Sequence, residues 1–434
     1  MKTYLEAEKT LPVADEVDVL VAGGGPAGVG AAISAARNGA KTMLIEHFNC
    51  LGGIATSGLM SHWTGDSEGP IYEDILNRCQ SQPWPGENLE NHLWQTINHE
   101  KLKLVLFDML EEAGVILQLH TDAVDVIMDG SRITGVIIQS KSGREAIMAK
   151  VVIDCTGDGD VAARAGAEYV KGREEDGLMQ PVTLMFKIDG VDYSRAIFPG
   201  SFETKVEVPM GEIQALGHRE LPRPAGHVLL YQTQVTGQVM VNMTNLTGID
   251  GTSVRDLTRA EVECHRQVPR IIAFLRQYAP GYENCRLLET AAVVGVRETR
   301  HFKGLYTLTA EDIVEASVFP DWIATRNQFN FDIHNVKGPG LDANGAQAHF
   351  RSRGKYTIPY RCCVPEKIDG LLLAGRNISG THKAHSSFRV MPICVNIGQG
   401  AGTAAAVAVR DGVIPRVVDI AEVQKLLLLQ GVKI

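Results

Sequence analysis

Residues 17–46 contain two short apolar runs separated by a glycine-rich turn and an alanine-rich stretch. Residues 17–21 and 41–46 have the length and composition of buried strands. The alanine-rich stretch between them reaches about Arg37 and is followed by Asn38 and Gly39, a combination that ends helices. The pattern therefore predicts a strand, a helix and a second strand in one βαβ unit.

The chain up to residue 155 continues with one helical pattern and several strand patterns. Residues 99–113 carry apolar side chains at helical spacing, which predicts an amphipathic helix. Four strands are expected after it, at residues 115–119, 123–128, 133–139 and 150–155. No regular pattern covers the segment that contains Trp63, Pro70, Pro83, Trp84 and Pro85, so this segment is expected to be irregular.

The character of the sequence changes at about residue 175. Residues 175–360 are richer in proline, short strands and polar turns, with one long helical stretch at residues 255–277. We interpret residues 175–360 as an inserted, sheet-based substrate domain. Residues 370–374 then predict another buried strand, followed by an irregular glycine- and histidine-containing segment and an alanine-rich helix at residues 395–410. Residues 1–174 and 361–434 would together form the other domain.

Composition narrows the function classes. A chain of 434 residues suggests about two or three domains. Its formal net charge of −9 argues against nucleic acid or an anionic membrane as the main partner. Residues 1–16 do not resemble a signal peptide, no apolar stretch approaches a membrane span, and a cytoplasmic location is expected. The eight cysteines form no CxxC pair, so neither a dithiol motif nor a zinc ribbon is indicated.

The glycine-rich turn of the βαβ unit has the spacing of a dinucleotide-binding fingerprint. Gly23, Gly25 and Gly28 fit G-x-G-x-x-G directly after a strand and at the start of a helix. A pyrophosphate would lie on the free N–H groups at the positive end of that helix. Glu46 ends the second strand, where an acid accepts hydrogen bonds from the ribose hydroxyls of an adenosine and disfavours NADP.

Two later strands favour FAD over NAD as the expected cofactor. The run at 152–155 ends in Thr156-Gly157, and the run at 371–374 ends in Gly375-Arg376. With these features, the chain resembles the FAD-dependent oxidoreductase family known largely from bacterial sequences, some of them related to xanthan lyase by their description. The resemblance is carried by residues 19–46, 49–59, 151–167 and 372–406. It implies a Rossmann-like, three-layer α/β domain with a mostly parallel sheet, and FAD as the cofactor.

The resemblance also implies which residues hold the FAD. The segment from Gly23 to Gly28 would hold the pyrophosphate, Glu46 the ribose and Val124 the adenine. The full set of positions expected to line the cofactor is Gly23, Gly25, Pro26, Ala27, Gly28, Glu46, His47, Gly52, Gly53, Thr56, Ser57, Val124, Thr156, Gly157, Asp158, Gly375, Arg376, Gly398, Gln399, Ala401 and Gly402. The last four are expected to open the alanine-rich helix, with its positive end directed at the flavin.

Between Tyr169 and Pro365 no second dinucleotide fingerprint is found. A pyridine-nucleotide-driven disulfide reductase would normally carry one there. Electrons are therefore expected to pass from a small-molecule substrate to FAD and then to an acceptor that the sequence does not identify, such as oxygen, a quinone or another carrier. Reduction by transiently bound NAD(P)H stays open, and so does a homo-oligomeric state.

The residues expected to carry the chemistry are histidines and arginines near the end of the chain and in the middle domain. His382 and His385 follow the Gly-Arg strand and are candidates for proton transfer, with hydrogen bonding to local backbone as the alternative. Arg389 and Arg297 are candidates for binding a carboxylate or a polyhydroxylated substrate, with an ion pair of Arg297 to Glu298 or Glu289 as the alternative. His334 and Tyr360 are further candidates for the pocket, and no metal site is expected.

The function expected from the sequence is FAD-dependent oxidation of a small polar substrate, a sugar or an organic acid, by hydride transfer to flavin N5. The active site would lie at the junction of the two domains. Two alternatives remain. One is a flavin-dependent reductase of an activated double bond, and the other is a flavin-binding protein without catalytic activity.

Overall fold

The structure is a computed structural model that describes residues 2–83 and 94–434. Trp84 and Pro85, expected in an irregular segment, lie outside the described residues. The helices in the described ranges are α1 (Pro26–Arg37), α2 (Pro70–Cys79), α3 (His99–Glu112), α4 (Asp160–Arg164), α5 (Ile213–Glu220), α6 (Val254–Tyr278), α7 (Ala310–Val314), α8 (His382–Phe388), α9 (Met391–Asp411) and α10 (Ile420–Leu429).

The strands in the same ranges are β1 (Val13–Ala22), β2 (Thr42–Ile45), β3 (His62–Trp63), β4 (Gln82–Pro83), β5 (Gln95–Thr96), β6 (Ile116–Gln118), β7 (Asp122–Asp129), β8 (Arg132–Ser140), β9 (Gly143–Asp154), β10 (Tyr169–Lys171), β11 (Phe186–Asp189), β12 (Glu207–Val208), β13 (Gly211–Glu212), β14 (Leu230–Gln232), β15 (Val239–Val241), β16 (Arg286–Thr290), β17 (Arg300–Phe302), β18 (Trp322–Asn327), β19 (Tyr356–Pro359) and β20 (Leu371–Leu373). The strands predicted from residue 17 to residue 155 and at residues 370–374 are all confirmed.

The central sheet is mostly parallel and has the order β6-β2-β1-β9-β8-β7, with β20 on the carboxyl-terminal part of β9. Strands β6, β2, β1, β9 and β20 run parallel, whereas β7 and β8 form an antiparallel hairpin beside β9. The carboxyl ends of parallel strands meet at one edge of a sheet. The turns that follow β1, β9 and β20 are therefore neighbours, and the predicted α/β fold is confirmed.

Helices α1 and α9 pack against each other with their backbones in close contact. A Cβ atom on Gly398 would lie 2.0 Å from the carbonyl oxygen of Ala27, and one on Gly402 would lie 2.2 Å from that of Ala31. By length and apolar composition α9 is the one helix of the described residues able to cross a membrane, but 94% of its apolar window is buried inside the protein. Its hydrophobicity is thus accounted for by packing in the core.

A second hydrophobic core draws its buried side chains from Leu59 and residues 182–294. It is built on the antiparallel sheet β14-β15-β11-β16 and on α6, whose predicted range of 255–277 is confirmed within one residue at each end. The inserted region is therefore sheet-based. Most buried apolar side chains between residues 302 and 360 pack instead in the hydrophobic core around the central sheet, which is the first core. The second core therefore covers a shorter part of the chain than the predicted inserted domain, 175–360.

Three helical segments differ from the sequence interpretation. Helix α2 lies in the segment expected to be irregular, because Pro70 occupies its first turn, where the missing N–H is not needed. Helix α8 lies in the predicted irregular segment after β20 and is capped by the Thr381 side chain, which accepts a hydrogen bond from the Ala384 N–H. Helix α9 begins at Met391, earlier than the predicted residue 395.

Candidate active site

The turn between β1 and α1 leaves room for a ligand at the second fingerprint glycine. Gly23 has φ of +100°, and its Cβ position is only 2.5 Å from the carbonyl oxygen of Cys155. A Cβ on Gly25, in contrast, would have no neighbour within 4 Å. Helix α1 has no side-chain cap and no acidic residue in its first turn, so its positive end faces open space. This geometry fits a pyrophosphate group.

Glu46 directly follows β2 and lies beside the same turn. Its carboxylate accepts hydrogen bonds from the Gly24 N–H at 2.6 Å and from the Phe48 N–H at 2.8 Å. Each carboxylate oxygen keeps a further lone pair for a hydroxyl donor. His47 is half exposed, with its ring 3.8 Å from the Glu46 carboxylate. Glu46 is thus held in the position that the sequence assigned to ribose binding, a role that stays a prediction.

A second loop covers the fingerprint turn from the other side. The Gly52 N–H donates to the Gly24 carbonyl at 2.8 Å, and a Cβ on Gly53 would lie 3.2 Å from the Gly25 Cα. The Thr56 hydroxyl donates to the Leu51 carbonyl at 2.6 Å, and the Ser57 hydroxyl lies 3.4 Å from the Cys50 sulfur. All eight cysteines, Cys50 among them, are free and buried.

The turns after β9 and β20 meet at Asp158. Its carboxylate accepts hydrogen bonds from the Arg376 guanidinium at 2.7 Å and from the Thr299 hydroxyl at 2.5 Å. The Arg300 guanidinium donates to the Asp158 carbonyl at 2.8 Å. Gly157 and Arg376 are therefore neighbours, since the Gly157 Cβ position is 3.2 Å from the Arg376 side chain.

Two further cofactor candidates lie on this side of the sheet. Thr156 donates both its N–H and its hydroxyl to the Asp154 carboxylate, at 3.0 and 2.7 Å. Burial raises the pKa of Asp154 to about 6. Val124 falls at the irregularity between β7 and β8 and has no partner in their register, while its carbonyl accepts a hydrogen bond from Arg164.

The predicted placement of Gly398, Gln399, Ala401 and Gly402 at the opening of the alanine-rich helix is wrong. These four residues lie about two turns inside α9, where the two glycines face the α1 backbone, Ala401 is fully buried and the Gln399 side chain donates to Gln430. The positive end of α9 lies instead at Met391, two residues after Arg389. The sequence interpretation failed here because glycines weaken a helix in isolation, whereas in the fold they permit close helix packing.

Arg297, Asp332, His334 and Arg389 form a group that we call the arginine cluster, in which His334 is buried and the other three side chains are partly buried. Arg389 donates from its Nη2 atom to both the carbonyl and the carboxylate of Asp332 at 2.9 Å, and the His334 Nε2 is 3.5 Å from that carboxylate. Arg297 donates to the Pro181 carbonyl at 2.6 Å and the Thr183 hydroxyl at 2.9 Å. The alternative ion pair of Arg297 with Glu298 or Glu289 is not formed.

Burial and neighbouring charges determine the protonation of this cluster. Burial, helped by the charge of Arg297, lowers the pKa of His334 to about 4 and keeps the ring neutral near pH 7. Burial opposes ionisation of Asp332, but His334, Arg389 and Arg297 together hold its pKa below the usual range. Burial and the nearby Arg389 lower the pKa of Arg297 to about 10, so it remains a cation.

Several polar atoms of the arginine cluster have no hydrogen-bonding partner within the protein. They are Nε of Arg389 and Nδ1 of His334. A third such atom is Nδ1 of the neighbouring His62, whose pKa is affected by the charge of Asp332. A buried polar group without a partner costs roughly 1–3 kcal/mol. These unpartnered polar atoms lie close together, which indicates that the arginine cluster binds a polar ligand.

Glu298, His301, His382 and His385 form a second buried group, the histidine cluster. The Glu298 carboxylate interacts with His301 Nε2 at 2.7 Å and with His382 Nδ1 at 2.5 Å, and it accepts a hydrogen bond from the Gln180 N–H at 2.9 Å. The rings of His301 and His385 meet edge to face with centroids 5.0 Å apart. In this cluster His382 is bound to a carboxylate rather than to local backbone.

The geometry of the histidine cluster favours hydrogen bonding over a shared metal ion. Glu298, His301 and His382 offer ligand atoms within 4.8 Å of one another. Two ligands of one zinc ion at its usual bond lengths stand roughly 3.4 Å apart. The oxygen–nitrogen distances of 2.5 and 2.7 Å are shorter than that and match charge-assisted hydrogen bonds.

Tyr360, a predicted pocket residue, lies in the first hydrophobic core instead. Its ring is buried and its hydroxyl donates to the Pro415 carbonyl at 2.8 Å. The tyrosine is thus fully satisfied by the protein and belongs to packing. Its assignment to the pocket is wrong, because a tyrosine next to an arginine in sequence gives no signal of which way its ring points.

The family is decided by comparison over the whole chain. The profile of the FAD dependent oxidoreductase family matches residues 18–427. The chain belongs to this family. FAD is accordingly the cofactor of this oxidoreductase, and the open helix end at Gly25 and the acid Glu46 fit its pyrophosphate and ribose.

Two curated relatives match parts of this oxidoreductase. It is 30% identical over 156 residues to digeranylgeranylglycerophospholipid reductase of Picrophilus torridus, which covers 32% of this chain and 39% of that protein. It is 33% identical over 153 residues to thiamine thiazole synthase of Methanococcus vannielii, which covers 33% of this chain and 56% of that protein. Both matches span less than two thirds of the relative.

A solved structure shows the same fold over almost the whole oxidoreductase. The p-nitrophenol 4-monooxygenase PnpA of Pseudomonas putida DLL-E4 superposes with a TM-score of 0.50 at 12% identity, covering 96% of this chain and 84% of that one. At this identity the likeness concerns the fold alone.

The sequence analysis of this oxidoreductase missed two carboxylates and one histidine. Glu298 was considered only as a partner of Arg297, and neither Asp332 nor His62 was singled out. The signal available for Glu298 was its place in the charged run 297–301 between apolar residues. Such a run predicts burial of charged groups but not which residues pair, since the partners come from α8 and from residues near 180.

Proposed function

We propose that this oxidoreductase is an FAD-dependent dehydrogenase of a small polar substrate that carries a carboxylate, an organic acid or a sugar acid. The proposal rests on the arginine cluster, in which two partly buried cations lie together with several buried polar atoms that have no partner within the protein. Guanidinium groups bind carboxylates with two parallel hydrogen bonds, and they do so most strongly when water is excluded. FAD, when bound, supplies the hydride acceptor, its N5 atom.

The residues of the chain would prepare the substrate in three ways. Arg389 and Arg297 would bind the carboxylate, next to the positive end of α9. His385, held neutral because burial and then His301 keep its pKa well below the usual value, has an unpartnered Nδ1 to accept the hydroxyl proton. The surrounding buried side chains would exclude water from the reacting bond.

The polar character of the cluster argues against an isoprenoid substrate like the one that the name of the Picrophilus relative implies. An apolar chain would leave the arginines and histidines desolvated without partners, which costs free energy. We therefore favour oxidation of a polar substrate over reduction of a double bond. A cytoplasmic location, a diffusible or protein electron acceptor and self-association remain part of the proposal.

The test is anaerobic mixing of the FAD-loaded protein with 2-hydroxy acids, sugar acids and the matching uncharged sugars. The flavin absorbance should be lost only with acids, and Arg389→Lys should raise the KM for an active acid roughly 10–100-fold because it loses the paired hydrogen bonds. The control Arg195→Lys, at an exposed ion pair with Glu283, should leave KM unchanged. Equal reduction by acids and uncharged sugars would rule out carboxylate recognition.

A further inference from the structure

A cavity with a volume of about 290 Å³ lies next to the arginine cluster, and the proposed function does not use it. It is lined by Phe202 and Glu203, by residues of α5 that include the exposed His218, by His227 and by the loop that contains Asp342. Its volume is close to the lower end of the range of about 300–1,000 Å³ that is usual for small-molecule sites. The cavity is thus large enough for part of a small polar molecule.

His227 lines this cavity with a ring whose hydrogen-bonding capacity is unused. The residue is only 2% exposed, and both nitrogens of its ring are buried without a hydrogen-bonding partner within the protein. Burial, helped by His334 and Arg297, lowers its pKa to about 3 against the opposing effects of the Asn242 backbone and Asp332. The ring is therefore neutral near pH 7 and offers one donor and one acceptor. Hydroxyl groups, which both donate and accept, would satisfy the two nitrogens.

A single layer of aromatic rings separates the cavity from the arginine cluster. The ring of His227 lies 6.2 Å, centre to centre, from the ring of His334. The partly exposed Phe202 meets both rings edge to face, at 5.0 Å and 4.7 Å. Polar atoms without partners continue from the cavity inwards, since Oδ1 of Asn242 and Nδ1 of His334 are also buried and unpaired. The unpartnered atoms of the cavity wall and of the arginine cluster therefore form one continuous group.

We propose that this cavity is a subsite for the hydroxyl-bearing end of the substrate, and that His227 recognises its hydroxyl groups. The inference rests on the proposed function, in which Arg297 and Arg389 bind the substrate carboxylate. The carbon chain of the substrate runs from the arginine cluster past the ring of Phe202 to His227. The substrate is then a sugar acid with several hydroxyl groups rather than a short hydroxy acid.

The charges of the cavity restrict the far end of the substrate to a neutral group. Among the described residues that line it, Glu203 and Asp342 are acidic and none is a lysine or an arginine. Arg173 lies 3.6 Å from the Asp342 carboxylate, whereas the Glu203 carboxylate accepts a hydrogen bond from the Ala348 N–H. Glu203 would repel a second carboxylate or a phosphate, and an alkyl chain would leave the nitrogens of His227 unpaired. An aldonic acid, with one carboxylate and a neutral polyhydroxyl chain, fits both conditions.

The test compares aldonic acids with glycerate, which has the same carboxylate and adjacent hydroxyl group on a shorter chain. Calorimetric titration of the FAD-loaded protein should show gluconate, galactonate or mannonate binding roughly 10-fold more tightly than glycerate. His227→Phe keeps an aromatic ring but removes both nitrogens, so it should abolish this advantage. His227→Gln keeps a donor and an acceptor and should retain part of it, which a role in packing alone does not predict. His265→Phe, at a half-exposed position on α6, is the control and should leave the advantage unchanged.

The outcomes separate the subsite from the proposed function. If no aldonic acid binds more tightly than glycerate, or if His227→Phe keeps the advantage, the subsite is wrong, while flavin reduction by glycerate would leave the proposed function standing. If an aldonic acid binds through His227 but no acid reduces the flavin, the subsite stands and the proposed function fails. Should His227→Phe not fold, Glu203→Gln decides. It should strengthen binding of glucarate, whose second carboxylate would meet this side chain, and unchanged binding would overturn the subsite.

Discussion

At the scale of single residues, the three fingerprint glycines serve different purposes although they belong to one motif. Gly23 requires a left-handed backbone with φ of +100°. Gly28 has no space for a side chain, because its Cβ position is 1.8 Å from the Gly23 carbonyl oxygen. Gly25 has ordinary backbone angles and open space beyond its Cα. Gly23 and Gly28 are therefore required by the fold, whereas only Gly25 is required by the ligand.

This difference predicts opposite results for two similar substitutions. Gly25→Ala should fold with an unchanged Tm in the FAD-free state but weaken FAD binding by at least about 10-fold, because the methyl group occupies the place where the pyrophosphate approaches the backbone. Gly28→Ala should reduce Tm or abolish folding, because the helix must move away from the strand. Thermal unfolding without FAD and fluorescence titration with FAD measure both effects. Normal FAD affinity in Gly25→Ala would mean that the cofactor lies elsewhere.

Functional residues could be predicted from the sequence where they lie close together along the chain. They could not be predicted where the fold brings distant residues together. The fingerprint and Glu46 follow from spacing along one βαβ unit, so the sequence indicated them. The pairing of Glu298 with His382 joins residues 84 positions apart, and the pairing of Asp332 with Arg389 joins residues 57 positions apart. No periodicity reports such pairs, which is why both carboxylates were missed while their basic partners were named.

At the scale of elements, the contact between α1 and α9 ties the cofactor domain together. The helix formed by residues 391–411 belongs to the last part of the chain, yet it lies on the first helix with glycines at the contact. Ser34 and Thr403 add a buried hydrogen bond of 2.7 Å between the same helices. The strands and long helices were predictable from their periods, but the start of α9 was not, because it depends on this packing.

Enlarging the glycine contact should therefore destabilise the fold. Gly402→Ala places a methyl group 2.2 Å from the Ala31 carbonyl, and overpacking of this kind should lower the free energy of unfolding by about 1–3 kcal/mol. Urea unfolding followed by far-UV circular dichroism measures the change. Gly354→Ala is the control, since the added Cβ would meet only Ala316 at 3.6 Å. Equal stability of Gly402→Ala and the unmodified protein would show that the two helices separate at little cost.

At the scale of the whole molecule, the region around Asp332 holds three buried histidines that are neutral near pH 7. Burial lowers the pKa of His62 to about 3, of His227 to about 3 and of His334 to about 4. Their pKa values in the unfolded chain are near the ordinary value of about 6.5. These groups cost nothing above that pH, but below it the unfolded chain binds protons that the folded protein excludes.

The protein should consequently lose stability as the pH falls from about 6.5 towards 4. Each of the three histidines contributes up to about 1.4 kcal/mol of lost stability per pH unit in this interval. His382 adds no slope in this interval, because its raised pKa stabilises the folded protein fully below about 6.5 and that stabilisation is lost only as the pH rises through its folded value. Asp154 opposes the loss, because its pKa of about 6 lets the folded protein take up a proton before the unfolded chain does. It is one group against the three histidines, and the lowered pKa of His385 adds to their effect. Urea unfolding between pH 4.5 and 7.5 measures the slope.

A single substitution checks the origin of that acid sensitivity. His62→Phe keeps an aromatic ring against Tyr231, on which His62 stacks at 3.4 Å, and should reduce the slope by about one proton. His265→Gln, at a half-exposed position on α6, should leave the slope unchanged. A slope that is the same in the unmodified protein and in His62→Phe would place the acid sensitivity outside this region.

The reaction proposed for this FAD dependent oxidoreductase is the removal of a hydride from a polar, carboxylate-bearing substrate. The most direct measurement is the flavin absorbance of the purified protein under anaerobic conditions, recorded during titration with a panel of hydroxy acids and sugar acids and, separately, with NAD(P)H. We predict loss of the flavin bands with at least one acid and their return when air is admitted. Flavin that is reduced by NAD(P)H but by none of the acids would contradict the account and favour a reductase.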